Sequence, residues 1–216
     1  MKKLIYAILF LFVLSYTGVS FGETSYRLLI YGDSLSAGYR VGKKNSFASI
    51  LQKELRAKGY KNVIIINKSK SGETTTGGLI RLKAVLETEK PNGVLLELGI
   101  NDALRGNSVA SIEKNLERMI LLCQERGIYV LLAGMKAPPY TGILYQKEFN
   151  QMYEKLASKY RLIFYPFFMK GLIELENQIP DSKYVLSDNV HPNNQGISLM
   201  VQNIMPYVEK FIKESK

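Results

Sequence analysis

Three observations predict an α/β fold built on a parallel sheet with helices on both faces. Apolar runs of strand length recur at Tyr26–Tyr31, Val63–Asn67, Gly93–Leu98, Tyr129–Gly134 and Leu162–Tyr165. These runs are mostly continuous rather than alternating, which suits strands covered on both sides. Segments with apolar residues at helical spacing separate them, and a β–α repeat of this kind closes into a parallel sheet with right-handed crossovers.

Taken in order, the first strand runs straight into Gly32-Asp33-Ser34, and Phe47, Ile50, Leu51 and Leu55 then form the first helical stripe. The second strand is followed by Asn-Lys-Ser-Lys-Ser-Gly72-Glu-Thr and the third by Leu-Gly-Ile-Asn101-Asp. Ile112, Leu116, Met119, Ile120 and Cys123 form the next stripe, and Tyr145, Phe149, Met152, Tyr153 and Leu156 the one after strand four. A last helix is expected from Gln195 to Ile212, bent or interrupted near Pro206, whose ring removes a backbone donor. The longer connections, Met135 to Gly142 and Pro166 to Asp188, are where a substrate-facing wall or lid is expected. No internal repeat or low-complexity linker divides the chain.

The 216 residues, 46% of them hydrophobic, are enough for one large core and one domain. Residues 1–22 stand apart from it. Lys2 and Lys3 are followed by the apolar run Leu4–Leu14, and Ser20-Phe21-Gly22 places small residues at the positions a signal peptidase reads. The run is short of the roughly 20 residues a membrane-spanning helix needs. Residues 1–22 therefore read as a cleaved export signal and 23–216 as the mature domain, periplasmic or secreted. No cysteine lies near the cleavage region, which argues against a lipoprotein. Cys123 is the only cysteine, so no internal disulfide forms, and its place in a helical stripe assigns it to packing.

The net charge of +10 becomes +8 once the two leader lysines are removed, leaving 27 basic against 19 acidic residues. That balance favours approach to anionic lipid or to phosphate-bearing acyl carriers, and serves solubility equally well. No basic block with interleaved aromatics points to nucleic acid. One His and one Cys cannot close an ordinary zinc shell, so no metal is expected.

The chemistry concentrates on the lone histidine. A serine hydroxyl is a poor nucleophile unless an adjacent base takes its proton, and that base needs a third group to hold its tautomer. His191 is the one imidazole available, and Asp188, three residues before it, is placed for a tight turn to bring a carboxylate to the ring. Ser34, Gly72 and Asn101 each follow the carboxyl end of a strand. In an open parallel sheet those ends share one rim, where ligands sit. Acyl transfer builds charge on a carbonyl oxygen, and candidate donors to it are the Ser34 N–H, the Gly72 N–H and the Asn101 amide. Glycine at 72 would let the main chain approach closely.

Gly-Asp-Ser-Leu around Ser34, the glycine at 72, the asparagine at 101 and Asp-x-x-His at 188–191 together resemble the four blocks of the SGNH, or GDSL-type, hydrolase family. Within it, Gly-Asp-Ser-Leu-Ser-Ala-Gly-Tyr, Ser-Gly-Glu-Thr-Thr-Thr-Gly-Gly-Leu, Asn-Asp-Ala-Leu-Arg-Gly and His-Pro-Asn are similar to the bacterial periplasmic multifunctional thioesterase, protease and lysophospholipase branch. The resemblance implies a flavodoxin-like three-layer α/β/α sandwich with a five-stranded parallel sheet in the order 2-1-3-4-5. It also implies a catalytic Ser34, Asp188 and His191, an oxyanion hole of Ser34, Gly72 and Asn101, no cofactor, and acyl ester, thioester or lysophospholipid substrates. Two residues depart from the branch, Ile100 and Asn189, each standing where glycine is common. A branched side chain beside Asn101 bears on the acyl pocket and hence on chain-length preference.

Each residue also has a plainer reading. Serine in a Gly-Asp-Ser turn, Asp188 before Pro192 and Asn101 ahead of a helix are all ordinary capping positions, and Gly72 suits a tight turn. Asp33, Glu97 and Asp102 read as hydrogen-bonding struts. The Gly-x-Ser-x-Gly elbow of α/β-hydrolases is absent, because position 36 is serine. The alternatives are an exported carbohydrate O-deacetylase of the same family, a non-catalytic acyl-binding protein using the same crevice, and a glycosidase built on Glu97 and Asp102.

Overall fold

The computed structural model describes residues 25–173 and 179–215, so the leader segment 1–22 lies outside the described residues. Five parallel strands form one sheet in the order β2-β1-β3-β4-β5. They are β1 (Tyr26–Gly32), β2 (Val63–Asn67), β3 (Gly93–Glu97), β4 (Tyr129–Ala133) and β5 (Ile163–Tyr165). Each begins or ends within one residue of its sequence expectation. β3 and the last five residues of β1 owe their continuous buried runs to position, since β1 and β3 lie inside the sheet with helices on both faces.

On one face α2 (Phe47–Ala57) packs against α7 (Asn194–Glu214), and on the other α3 (Thr75–Glu89), α5 (Val109–Gln124) and α6 (Ile143–Lys159) follow one another. Two short helices, α1 (Ser34–Ala37) and α4 (Ile100–Leu104), sit directly after β1 and close after β3. The helix starts are written in the sequence: Ser46, Thr74, Ser108 and Asn193 each accept a backbone N–H of the first turn of the helix that follows. Cys123 is buried in the core, and burial pushes its thiol up to about 12.

Two elements differ from expectation. Helix α3, absent from the apolar stripes expected from the sequence, packs Leu79 and Val85 against the core and buries Thr75, Gly78, Leu82 and Leu86. Two of those four are a hydroxyl and a glycine. The glycine is there for contact: a Cβ on Gly78 would lie 2.6 Å from Leu98, and the Tyr31 hydroxyl donates to the Gly78 carbonyl at 2.6 Å. The second difference is a correction: α7 runs through Pro206 without a break. Pro206 lies on the exposed side of the helix, so the carbonyl it leaves without an intrahelical donor, that of exposed Gln202, faces water.

Candidate active site

The carboxyl ends of β1, β2 and β3 form one rim, as expected of a parallel sheet. Ser34 is the first residue of α1, and Asp33 caps that helix by accepting the Leu35 N–H at 3.0 Å. Gly38 closes the four-residue turn in the left-handed region, φ +88°. His191 comes from the opposite end of the chain, one turn before α7. Its Nε2 lies 2.9 Å from Ser34 Oγ, and its Nδ1 lies 3.0 Å from Asp188 Oδ2. The other Asp188 oxygen accepts the backbone N–H groups of Val190 at 3.0 Å and His191 at 2.9 Å, so a single Asx-type turn fixes carboxylate and ring together. Burial alone would raise the Asp188 carboxyl. The two backbone N–H bonds and the bond to the His191 ring outweigh it and bring the group down to about 2, so it is ionised at neutral pH.

Asn189 sits inside that turn with φ +56°. This is the left-handed region, which glycine enters freely and asparagine tolerates better than other residues with a side chain. The turn thus explains why asparagine is an acceptable departure from glycine at 189.

The rim is tied together from below. Asn101, in α4, donates from Nδ2 to Asp33 Oδ2 at 2.9 Å, which leaves its second amide hydrogen available. Asp102 accepts the Thr75 N–H and hydroxyl, both at 2.8 Å, and so joins the strand-two loop to α4. Arg105 reaches back to the Gly72 carbonyl at 3.0 Å. Gly72 itself has φ +75°. The Ser34 and Gly72 N–H groups donate to no protein acceptor among the described residues. Gly99 has φ +127°, and a Cβ there would collide with the Tyr153 hydroxyl, which donates to the Leu98 carbonyl at 3.0 Å.

Asp33, Glu97 and Asp102 are buried and hydrogen-bonded, in line with their reading as struts. Their burial removes the glycosidase alternative, since neither Glu97 nor Asp102 faces a substrate cleft. Glu97 Oε2 accepts the Ser36 hydroxyl at 2.9 Å and the Asp33 N–H at 3.3 Å, while Oε1 has no hydrogen-bond partner. A neutral carboxyl tolerates such a position far better than a carboxylate. Burial, followed by the Asp33 charge, holds Glu97 well above the usual range; burial also pushes Asp33 up to about 7, against the hydrogen bonds from Leu35 and Asn101. A Cβ at Gly32 would strike the Glu97 carboxylate, which accounts for the glycine before Asp33.

Sequence reasoning passed over Tyr39 and Arg40. The Tyr39 ring lies against His191 with centroids 4.3 Å apart, and the Arg40 guanidinium is 3.8 Å from Asp188 Oδ2. Their only sequence signal is that they directly follow the Gly-Asp-Ser-Leu-Ser-Ala-Gly segment.

Beside the rim lies a cavity of about 240 Å³ lined mainly by apolar side chains, among them Ile100, Leu104, Met135, Phe167, Met169 and Val190. Both long connections contribute to it, as expected of a wall, although residues 174–178 of the second lie outside the described residues. Ile100 adjoins Asn101 and Val190 adjoins His191, so the cavity opens at the candidate site. No group of three or more His, Cys, Asp or Glu suited to a metal occurs among the described residues.

Residues 30–198 match the GDSL-like lipase/acylhydrolase family. Esterase TesA of Pseudomonas aeruginosa is 34% identical over 185 residues, 86% of this chain and 89% of its own. The Escherichia coli K12 protein named thioesterase 1/protease 1/lysophospholipase L1 is 35% identical over 166 residues, 77% of this chain and 75% of its own. The psychrotrophic esterase EstA from Pseudoalteromonas sp., solved in a form inhibited by monoethylphosphonate, is similar in structure with a TM-score of 0.80. It is 30% identical, over 88% of this chain and 100% of its own. The chain belongs to the GDSL-like lipase/acylhydrolase family and is a hydrolase of ester or thioester bonds.

The buried acid pair sets a pH dependence of stability. Because both carboxyls titrate above the unfolded value near pH 4, the folded chain holds more protons than the unfolded one from there up to about pH 7, where Asp33 titrates. Their contribution is complete below about pH 4 and is lost as the pH rises through about 7. Glu97→Gln keeps an acceptor for Ser36 and abolishes the buried ionisation, so it is expected to flatten the fall of Tm across that window. An unchanged Tm profile would contradict the assignment.

Proposed function

We propose that the chain is an exported acyl hydrolase that works through a covalent acyl-Ser34 intermediate. His191 Nε2, at 2.9 Å, takes the Ser34 proton as the oxygen attacks the ester or thioester carbonyl; Asp188 holds the ring and stabilises the imidazolium. The Ser34 N–H, the Gly72 N–H and the free hydrogen of the Asn101 amide receive the charge that develops on the carbonyl oxygen. The imidazolium then protonates the leaving alcohol or thiol, and water repeats the sequence on the acyl-enzyme. The observation that carries this reading is the continuous Asp188–His191–Ser34 hydrogen-bonded line beside two backbone donors with no acceptor among the described residues.

Asp33 and Glu97 act through other groups in this scheme. Asp33 orients the Asn101 amide, and Glu97 supports the Asp33 backbone from beneath. An oxyanion donor held in place before the reaction costs no reorganisation during it, and loss of one such donor is worth roughly 3 kcal/mol in the barrier.

The apolar wall favours an acyl chain over the acetyl group of an O-deacetylase substrate. A cavity of about 240 Å³ is roomier than an acetyl group requires and takes a longer acyl chain. Lysophospholipids and acyl thioesters present such chains, and the name of the Escherichia coli relative includes a thioesterase and a lysophospholipase. Export follows from the Lys2-Lys3 start, the Leu4–Leu14 run and the small residues at 20 and 22; the mature chain is expected to begin at Glu23, read by N-terminal sequencing of the exported protein.

Ser34→Ala is expected to lose covalent labelling by a fluorophosphonate and to lower kcat by about a thousandfold or more, with unchanged circular dichroism. Undiminished hydrolysis by that variant would refute the nucleophile. In a panel of esters from acetyl to palmitoyl, the rate is expected to peak at chains longer than acetyl, and Ile100→Gly to move the peak to longer chains still. A peak at acetyl would favour the deacetylase.

A further inference from the structure

Ile64, Ile80, Leu121 and Tyr129 are exposed singly on separate elements, whereas other exposed large apolar residues gather at the mouth of the acyl cavity. Tyr140, Leu104 and Val190, which are 73%, 46% and 47% exposed, line the cavity itself. Ile143 and Leu144, at the start of α6, are 83% and 78% exposed and continue the same connection outward from Tyr140. Single exposed apolar residues need no explanation, but a contiguous group around a binding cleft marks an interaction surface.

Cations outnumber acids beside this group: Lys136, Lys147 and Arg105 against exposed Glu148. From Gly134 to Lys147 the chain has two lysines, Lys136 and Lys147, and no acid. Lys147 stands one helical turn from Ile143 on α6, and Arg105 follows Leu104. None of these three cations forms an ion pair among the described residues. Of the nearby acids, Asp102 is engaged with Thr75 and Asp188 with His191, while Glu148 on α6 is exposed beside Lys147.

We propose that this rim is a docking surface for the face of an anionic lipid bilayer. Tyr140, Ile143 and Leu144 enter the boundary between head groups and acyl chains, and Lys136, Lys147 and Arg105 meet the lipid phosphates. An apolar crest flanked by cations is the pattern that binds such a surface peripherally, and no helix among the described residues is long and apolar enough to cross one. The crest is continuous with the acyl cavity, so a single-chain lipid leaving the bilayer reaches Ser34 without its chain passing through water. This last point rests on the reading of the site above, whereas the docking does not.

The test uses the Ser34→Ala protein, which separates binding from turnover. It is expected to sediment with phosphatidylcholine vesicles containing phosphatidylglycerol, less with phosphatidylcholine alone, and less as salt screens the attraction. In the same background Ile143→Glu with Leu144→Glu is expected to weaken binding by about tenfold or more. With Ser34 intact, the same double substitution leaves hydrolysis of a short soluble ester unchanged. Failure of the parent to bind, equal binding by the double variant, or a concentration-dependent dimer that the substitutions abolish without any vesicle binding would each overturn the proposal. Loss of vesicle binding with ester hydrolysis intact leaves the active-site reading standing; the converse result separates the two in the other direction.

Discussion

The contact between Ser34 and His191 joins residues 157 positions apart, and almost every feature of the rim can be traced to holding those two atoms 2.9 Å from each other. Ser34 is placed by β1 and by the cap that Asp33 provides. His191 is placed by a turn organised around the Asp188 carboxylate, which accepts two backbone N–H groups as well as the ring. The sheet supplies the rigid base, since β1 is a central strand with β2 and β3 on either side of it. α7 supplies the rest, because its N-cap Asn193 also donates to the Lys183 and Val185 carbonyls and anchors the segment that carries the histidine.

Beneath the rim the molecule keeps two carboxyl groups in its interior, against the general cost of burying charge. Asp33 is compensated by Leu35 and Asn101, and Glu97 by Ser36 and the Asp33 backbone. Burial raises both, and the Asp33 charge raises Glu97 further, so Glu97 keeps its proton and the local charge stays low. The arrangement spends stability on geometry: Asp33 aims the amide of Asn101, and a buried carboxylate aims it more firmly than a solvated one.

Much of this was legible in the sequence, for physical reasons that differ from element to element. The strands announced themselves because burial on both faces demands continuous apolar runs. Ser34, Asp188 and His191 were readable because a lone imidazole with a carboxylate three residues away leaves few alternatives. Helix α3 was harder to read, since close packing put Thr75 and Gly78 on its buried face and left its stripe to begin at Leu79. Pro206 suggested an interruption that exposure made unnecessary. Tyr39 against His191, and the proton that burial keeps on Glu97, depend on packing between distant segments that no local pattern records. Asn189 was noticed as a departure, but its meaning required the positive φ of the turn.

The central claim is that the imidazole activates the hydroxyl for covalent attack. Its most direct test is intact-protein mass spectrometry during turnover of an activated octanoyl ester, with peptide mapping of any adduct. The account predicts an octanoyl group on Ser34 that forms and decays with turnover and fails to accumulate at a comparable rate in His191→Ala. Steady hydrolysis with the acyl group on another residue, or acylation of Ser34 that is indifferent to loss of His191, would contradict it.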